Sequence, residues 1–406
     1  MIKSRYYVSD IVTGVLFFLL PLWSLPLLVF QLCKTRRIFY TVLFSSFFGI
    51  MASLLAPTGD LYRLYLTYYE FRDYDFQAFL NFLSLKPDFL FYTLLYIFAK
   101  LGLSIRIIIF SVVFGFFQLS FNYLLSRNIK IRMVVVLLFV MQFDFLLQGL
   151  FLRFPLAMLL VIYSFLKKME GKRYALLLLL IASAVHFSAL IAIPVLLFKR
   201  MAGNRINVFL FISLFLIPFG SFLFIFLIRN VLHWFPNIPF HEKLNDYFLG
   251  YWALEFYEER SWKALFQVYT ERILYFILLS YFLLTKGNSE SRKTAVPFLI
   301  LINILFSFPN LFSRYLILAL FFGLLCVVLE NKKNLTTKVI RLGLAVSITL
   351  VFTTRLLAQQ KNIRVSYIPN IAYNNVLTLS LKKYDPQWIH EHIDKNTARP
   401  KTETMP

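Results

Sequence analysis

The sequence predicts an all-α protein, a polytopic transmembrane helical bundle of about 10–12 membrane segments. Of the 406 residues, 59% are hydrophobic and only 15% are charged, whereas soluble domains are about one quarter charged. The Lys and Arg residues gather in short clusters between long apolar runs. A soluble fold of this composition would lack the polar surface needed to cover it.

Twelve apolar segments follow one another along the chain, judged against the roughly 20 apolar residues that a spanning helix needs. Pro21 and Pro26 should kink the first of them. Eight segments are good candidates: 11–32, 39–56, 105–125, 133–150, 206–228, 268–285, 312–329 and 339–357. Four are shorter or interrupted: 88–101, 152–166, 174–198 and 295–309.

Charge then predicts the orientation, because Lys and Arg resist translocation. The cluster at residues 34–37 contains no acid, which places it inside and the N-terminus outside. Loops 57–88 and 229–267 are rich in acidic residues and should be external. Loops 286–294 and 330–338 are basic and should be internal. The chain thus divides into a bundle, 1–357, and a polar C-terminal tail, 358–406, on the external side.

Segments 88–101 and 174–198 admit two arrangements. If both enter and leave on one side, as interfacial or re-entrant pieces, the basic residues at 127–132 and 167–173 are internal. If both span fully, those residues are external, against the positive-inside rule. The first arrangement is favoured.

The net charge of +22 does not indicate a nucleic-acid partner, because no continuous basic face is present to follow phosphates. Cys33 and Cys326 both lie near predicted inner helix ends, so no disulfide is expected. No metal-ligand spacing and no nucleotide-binding loop is visible in the sequence. We therefore expect no metal and no cofactor. If the protein is a transferase, the absence of a nucleotide-binding loop indicates that its donor is lipid-linked and not nucleotide-activated.

Ionisable residues inside apolar segments are expensive and are candidates for function. Arg153, before Pro155, and Arg314, after Pro309, should both lie at the outer start of a helix. Two guanidinium groups beside free helix N-terminal amides would bind phosphate or pyrophosphate. Alternatively, each arginine reaches out to lipid headgroups. The remaining candidates are Asp144, His186 and Arg355, with Asn303 and Asn310 as polar neighbours.

Asp60 follows the second apolar segment, with Tyr62 and Tyr65 close behind it. A carboxylate and two aromatic rings at the outer surface would suit a sugar, although Asp60 could equally cap the next helix. His186 could serve as a general base, because its pKa is ordinarily near neutral. It could equally be a buried hydrogen-bonding residue between helices. Asp144 has no neighbouring acid with which to form a dyad.

Several short motifs, taken in order, resemble the EpsG/Wzy-type polysaccharide polymerases, which include O-antigen and exopolysaccharide polymerases. The resemblance spans about residues 40–330. Its motifs are Thr58-Gly59-Asp60 with Tyr62 and Tyr65, Lys86-Pro87-Asp88-Phe89, Leu101-Gly102-Leu103-Ser104, Arg153 with Ala157, His186-Phe187-Ser188-Ala189-Leu190 after Ala184, and Ser313-Arg314-Tyr315.

This resemblance implies a metal-independent glycosyltransferase at the outer face of the bacterial inner membrane. It would transfer an undecaprenyl-diphosphate-linked glycan onto another lipid-linked repeat unit. Arg153 and Arg314 would hold diphosphates, and Asp60 or His186 would activate the acceptor hydroxyl. Tyr62, Tyr65 and Tyr315 would contact the substrate.

Two other functions stay open at the level of sequence. One is an O-antigen ligase or another lipid-linked glycosyltransferase, with similar chemistry and a different acceptor. The other is a polysaccharide flippase or transporter, which would place charge near the membrane midplane. Besides the lipid bilayer and the lipid-linked oligosaccharide, the candidate partners of a polymerase are a flippase and a chain-length regulator.

Overall fold

The computed structural model describes residues 2–127, 129, 132–142, 151–202, 205–234, 245, 262–330 and 335–401. Within those residues the protein is all-α, which confirms the predicted class. The first ten helices are α1 (Ile2–Leu19), α2 (Pro21–Thr35), α3 (Ile38–Ser53), α4 (Asp60–Asp73), α5 (Phe76–Ser84), α6 (Phe89–Lys100), α7 (Ile105–Ser126), α8 (Met133–Gln142), α9 (Arg153–Met169) and α10 (Ala175–Val185).

After a 3₁₀ turn (Phe187–Ile191), ten more helices follow. They are α11 (Ala192–Ala202), α12 (Ile206–Ser213), α13 (Leu216–Trp234), α14 (Trp262–Leu284), α15 (Glu290–Leu305), α16 (Pro309–Glu330), α17 (Leu335–Ala358), α18 (Gln360–Val365), α19 (Val376–Leu381) and α20 (Pro386–His392). A second 3₁₀ turn (Ile368–Ala372) separates α18 from α19.

Among the described residues, α7, α16 and α17 are each long and apolar enough to cross a membrane. A fourth candidate is α12 together with Leu216–Val231 of α13, which meet at a 61° bend. Shorter apolar helices include α3, α6 and α10. The protein is therefore a polytopic helical membrane protein, as predicted, and the count of 10–12 segments stays a prediction.

The chain forms two compact units. Unit 1 comprises Met1–Leu160, Ile181–Phe187 and Leu357–Pro406, and unit 2 comprises Val161–Leu180 and Ser188–Leu356. In unit 1, α3 and α7 pack antiparallel. Ser45 bonds Gln118 at 3.2 Å and, one turn earlier on α3, Thr41 bonds Asn122 at 3.4 Å. The end of unit 1 that contains Ser53, Asp60 and Arg106 is here called the Asp60 end, and the opposite one the Lys34 end.

The N-terminal 35 residues form a helical hairpin. Asp10 of α1 pairs with Arg37 and accepts a hydrogen bond from the hydroxyl of Tyr40, both at the Lys34 end. The reversal occurs at Leu20, just before Pro21, whose ring and missing N–H interrupt a helix. The expectations that 11–32 crosses once and that the N-terminus lies opposite residues 34–37 are therefore wrong. Lys3 and Arg5 of α1 therefore lie toward the same end as the cluster at residues 34–37, which agrees better with the positive-inside rule.

Both ends of α6 lie at the Asp60 end. Asp88, before the helix, contacts Arg153, and Leu103, just after it, accepts a hydrogen bond from Tyr68 at 2.8 Å. The next residue, Ser104, caps α7, which starts at the Asp60 end and runs away from it. Segment 88–101 thus returns to its own side, the arrangement that the charge distribution favours.

Segment 174–198 is broken at His186 into α10 and α11. In unit 2, Ala175 accepts a hydrogen bond from Ser164, which precedes Phe165, and the Phe165 ring packs on Phe298 of α15. Lys199, at the far end of the segment, bonds Thr294 of the same helix at 2.7 Å. Both ends of the segment therefore lie beside α15, as expected for a re-entrant hairpin.

The predicted external loops and tail contain helices of their own. Loop 57–88 holds α4 and α5, and residues 358–401 hold α18, α19 and α20. The tail belongs to unit 1, where Tyr367 N–H donates to the Leu54 carbonyl at 3.1 Å. Most of loop 229–267 lies outside the described residues.

The hairpin predicts that residues 4 and 36 face the same side of the membrane. In a background with Cys33 and Cys326 replaced by Ser, single-cysteine variants Ser4→Cys, Arg36→Cys and Gly171→Cys should resist an impermeant maleimide added outside cells. Tyr373→Cys, in the exposed tail, should be labelled. Labelling of Ser4→Cys alone among the first three would contradict the hairpin.

Candidate active site

Three of the candidate residues from the sequence, Asp60, Arg153 and His186, converge in unit 1. They surround Asp88, which was not a candidate. Asp60 is the first residue of α4, and Arg153 is the first residue of α9. His186 directly follows α10, and Asp88 directly precedes α6. Each functional side chain thus lies at a helix terminus, where backbone irregularity leaves room for polar groups.

The guanidinium group of Arg153 bridges two carboxylates. Its Nη2 lies 3.2 Å from Oδ2 of Asp60, and its Nη1 lies 3.1 Å from Oδ2 of Asp88. The same Nη1 donates to the Tyr92 hydroxyl at 3.1 Å. These contacts use three of the five N–H groups of an arginine. The remaining two have no acceptor among the described residues.

Asp88 is fully buried and contacts both Arg153 and the His186-Phe187 dipeptide. Although it occupies the N-cap position of α6, its side chain makes no capping bond to that helix. Instead, Oδ1 accepts the Phe187 N–H at 3.1 Å and lies 3.3 Å from Nδ1 of His186. Burial acts to raise the pKa of Asp88, and the hydrogen bond and charge of His186, together with Arg153 and the Phe187 N–H, outweigh it. The pKa therefore lies below its usual value.

Nδ1 of His186 lies 3.3 Å from the Asp88 carboxylate. A carboxylate at this position favours the tautomer with its proton on Nδ1, in which Nε2 is the proton acceptor of the neutral ring. The edge-to-face contact of His186 with the Phe154 ring, at 5.8 Å between centroids, further restricts the imidazole. This arrangement suits a general base.

Exposure of the site decreases steadily from Asp60 inward. The exposed fraction of the side chain is 32% for Asp60, 23% for Arg153, 11% for His186 and 0% for Asp88. The exposed side of the cluster is therefore the side of Asp60 and Arg153. With His186 neutral, the cluster carries two negative charges and one positive charge, so Arg153 is not the isolated cation that the sequence suggested.

The two tyrosines of the Asp60 motif are buried. Tyr62 and Tyr65 both point into unit 1, and the Tyr65 ring lies edge-on to Tyr384 of the tail, at 6.3 Å between centroids. The sequence-based expectation that both rings lie at the outer surface is therefore wrong, because they pack inside unit 1. Their contact with a sugar stays a prediction.

Arg314 lies in unit 2, near the start of α16, and its two neighbours anchor that helix. Ser313 donates to the carboxylate of Glu271, and Tyr315 donates to the Ser188 carbonyl at 2.8 Å. Because Arg153 belongs to unit 1, the site formed by the two arginines together stays a prediction, as does substrate contact by Tyr315.

The other intramembrane candidates have structural partners. Arg355 pairs with the fully buried Glu271 at 2.7 Å, and Asn303 donates to Ser213 at 2.7 Å. Asp144 lies outside the described residues. Nowhere in the part of the chain that the structure describes do three His, Cys, Asp or Glu side chains gather as a metal site would require.

Two buried carboxylates were not identified from the sequence: Asp88, which belongs to the site, and Glu271, which pairs with Arg355. Asp88 stands immediately before an apolar helix and within a family motif, a signal that was available but consistent with a simple cap. Glu271 lies inside a long apolar run, where a single carboxylate needs a partner. That partner, Arg355, is 84 residues away in the chain, and only the fold brings the two together.

The sequence model of the EpsG family matches residues 37–374, which is most of the chain. The chain belongs to the EpsG family. EpsG is a family of Wzy-type polysaccharide polymerases, so the resemblance noted from the motifs is confirmed. No curated protein and no solved structure matches this EpsG-family protein.

The lowered pKa of Asp88 predicts how acid affects the folded protein. A carboxyl group with a depressed folded-state pKa adds stability above its unfolded pKa and loses it as pH falls through the folded value. We expect the thermal midpoint to fall as pH decreases below about 4. Asp88→Asn should lower the midpoint at neutral pH and flatten this acid dependence, measured in detergent by intrinsic fluorescence. The exposed variant Asp73→Asn should retain it, and an unaltered acid profile in Asp88→Asn would contradict the assignment.

Proposed function

We propose that this EpsG-family polymerase transfers an undecaprenyl-diphosphate-linked glycan onto a second lipid-linked repeat unit, at the periplasmic face of the bacterial inner membrane. The observation that carries the proposal is the cluster of Asp60, Arg153, Asp88 and His186, which combines a general base with a cation at the exposed end of unit 1.

In the proposed reaction, Nε2 of His186 accepts the proton of the acceptor hydroxyl. The acceptor oxygen forms a bond to the anomeric carbon of the donor glycan, and the bond from that carbon to the diphosphate oxygen breaks. The electron pair leaves with the lipid diphosphate. Asp88 stabilises the imidazolium that forms, because its buried carboxylate lies 3.3 Å from Nδ1.

In this proposal Arg153 binds the diphosphate leaving group. Its two remaining N–H groups can bind a diphosphate oxygen, and bidentate contact to phosphate is a strength of arginine. Asp60, which pairs with the same guanidinium, orients it from the exposed side and lies where an acceptor hydroxyl would arrive. Arg314 supplies a second cation for the diphosphate in this proposal. Two guanidinium groups offset the developing charge, so the reaction as proposed needs no metal.

Sequence features support two parts of this proposal, the lipid-linked donor and the location of the reaction at the outer face. No nucleotide-binding loop is visible, and Asp60, Asp88 and Arg153 adjoin segments that the positive-inside rule places outside. A flippase would deliver the lipid-linked units to that side, and a chain-length regulator would act on the product. Both are partners in this proposal.

We expect His186→Gln to reduce glycan elongation about 100- to 10,000-fold, because general-base catalysis contributes that much. The measurement is polymer formation by purified protein in liposomes that contain lipid-diphosphate-linked repeat units. Asp88→Asn should cause a similar loss, and the double variant should be little worse than either, since the two residues act as a unit. His390→Gln, on the exposed tail, is the matched control.

The alternatives give different results in the same assay. A ligase would transfer glycan only when a different lipid acceptor is supplied. A flippase would move lipid-linked units across the liposome membrane without lengthening them. Full elongation by His186→Gln would reject the base assignment.

We expect Arg314→Ala to abolish long chains while single lipid-linked units accumulate, because one of the two diphosphate cations is lost. Chain length is measured on gels from cells that carry the variant at equal protein level. Arg229→Ala removes an exposed arginine elsewhere in unit 2 and should keep wild-type chain length. Unchanged chains in Arg314→Ala would exclude this arginine from the site.

A further inference from the structure

The turn that presents Asp60 obtains its backbone hydrogen bonds from the C-terminal tail. Residues 54–56 between α3 and α4 are fully buried. The Leu54 carbonyl accepts from the Tyr367 N–H at 3.1 Å and from the Tyr384 hydroxyl at 2.5 Å. The Gly59 N–H donates to the Ala398 carbonyl at 2.9 Å. Buried backbone groups need such partners, so this turn depends on the tail for its conformation.

Gly59 transmits that dependence to Asp60. Its backbone φ is +57° and ψ is −127°, a conformation that glycine adopts and other residues avoid. Asp60 is the next residue and begins α4. The direction in which its carboxylate leaves the turn, toward Arg153 at 3.2 Å, therefore follows from the conformation of Gly59. The hydrogen bond to Ala398 holds that conformation in place.

The tail loop that carries Ala398 is itself built for this contact. The Asp394 side chain accepts the N–H groups of Asn396 and Thr397, at 2.7 and 2.9 Å. Asp394 N–H donates to the Arg399 carbonyl at 2.8 Å, which closes the loop. Ala398 has a φ of +51°, which is unfavourable for a residue with a Cβ. The loop thus keeps Ala398 in a strained backbone conformation while its carbonyl bonds Gly59.

A buried arginine attaches the tail to the membrane helices. Arg106, in the first turn of α7, donates to the Ser53 carbonyl at 2.8 Å and to the Leu379 carbonyl at 3.1 Å. It also donates to the Lys382 carbonyl. A buried guanidinium is costly unless its donors are satisfied, so Arg106 favours the docked tail.

The match to the EpsG family ends at residue 374, whereas the contacts of Leu379, Lys382, Tyr384 and Ala398 all come later in the chain. We propose that residues 375–401 are a positioning element that holds the Asp60 turn in its active conformation through the bond from Gly59 to Ala398. This inference rests on the proposed role of the Asp60 site.

The test uses two variants of the tail loop in the full-length chain. Ala398→Val disfavours the positive φ of this residue because valine is β-branched. Asp394→Ala removes the carboxylate that accepts the N–H groups of Asn396 and Thr397. Both should lower kcat for elongation about 10- to 100-fold with a smaller change in KM, as expected when a reacting group is slightly misplaced. Lys395→Ala, exposed in the same loop, should keep wild-type kcat. Ala398→Gly should also keep wild-type kcat, because glycine adopts a positive φ readily.

A second readout does not depend on activity. Amide hydrogen exchange, followed by mass spectrometry, should become faster in the peptide covering residues 53–62 in Ala398→Val and Asp394→Ala, while α7 stays protected. Faster exchange with unchanged kcat would overturn the positioning role, and unchanged exchange would overturn the contact itself. If the wild-type protein shows no elongation, the proposed function fails, and the exchange result still decides whether the tail orders the turn.

Discussion

The buried carboxylate of Asp88 is the interaction on which the site depends. A fully buried charge is tolerated only when it is paired and hydrogen-bonded, and removing one partner of such a pair typically costs about 3–5 kcal/mol. Asp88 meets this requirement with groups from two other parts of the chain, Arg153 and the His186-Phe187 dipeptide. Because the buried Asp88 carboxylate needs these partners, three helix termini meet around it. The same contacts orient the imidazole and the guanidinium group.

The bilayer imposes a second constraint on where such a site can form. Backbone groups in hydrocarbon must be satisfied within helices, so irregular backbone is confined to protein-buried or water-accessible places. In unit 1 the turn before Asp60, the residue before α6 and the break at His186 are irregular, and these three meet at one end. The tail completes this end by supplying donors and acceptors to the buried turn that precedes Asp60.

The buried charges of unit 2 are also paired, but they do not form part of an exposed cluster. Glu271 and Arg355 are both buried and satisfy each other, and Ser313 adds a hydrogen bond to the carboxylate. This pair anchors the start of α16, from which Arg314 projects, without contributing an exposed group of its own. A buried ion pair of this kind is better explained as fixing the position of helices than as adding stability.

The sequence by itself determined that the protein is helical and lies in a membrane, because composition and the spacing of apolar runs leave no soluble alternative. It also identified Asp60, Arg153 and His186, since polar residues in apolar surroundings are conspicuous. It could not connect these residues to Asp88, because Asp88 and Arg153 are 65 positions apart. Nor could it find the N-terminal hairpin, since Pro21 is compatible with a mild kink or a full reversal, and the pairing of Asp10 with Arg37 decides between them. Only the tertiary structure brought the tail to the Asp60 turn, because backbone hydrogen bonds between Leu54, Gly59 and residues more than 300 positions later have no signature in side-chain pattern.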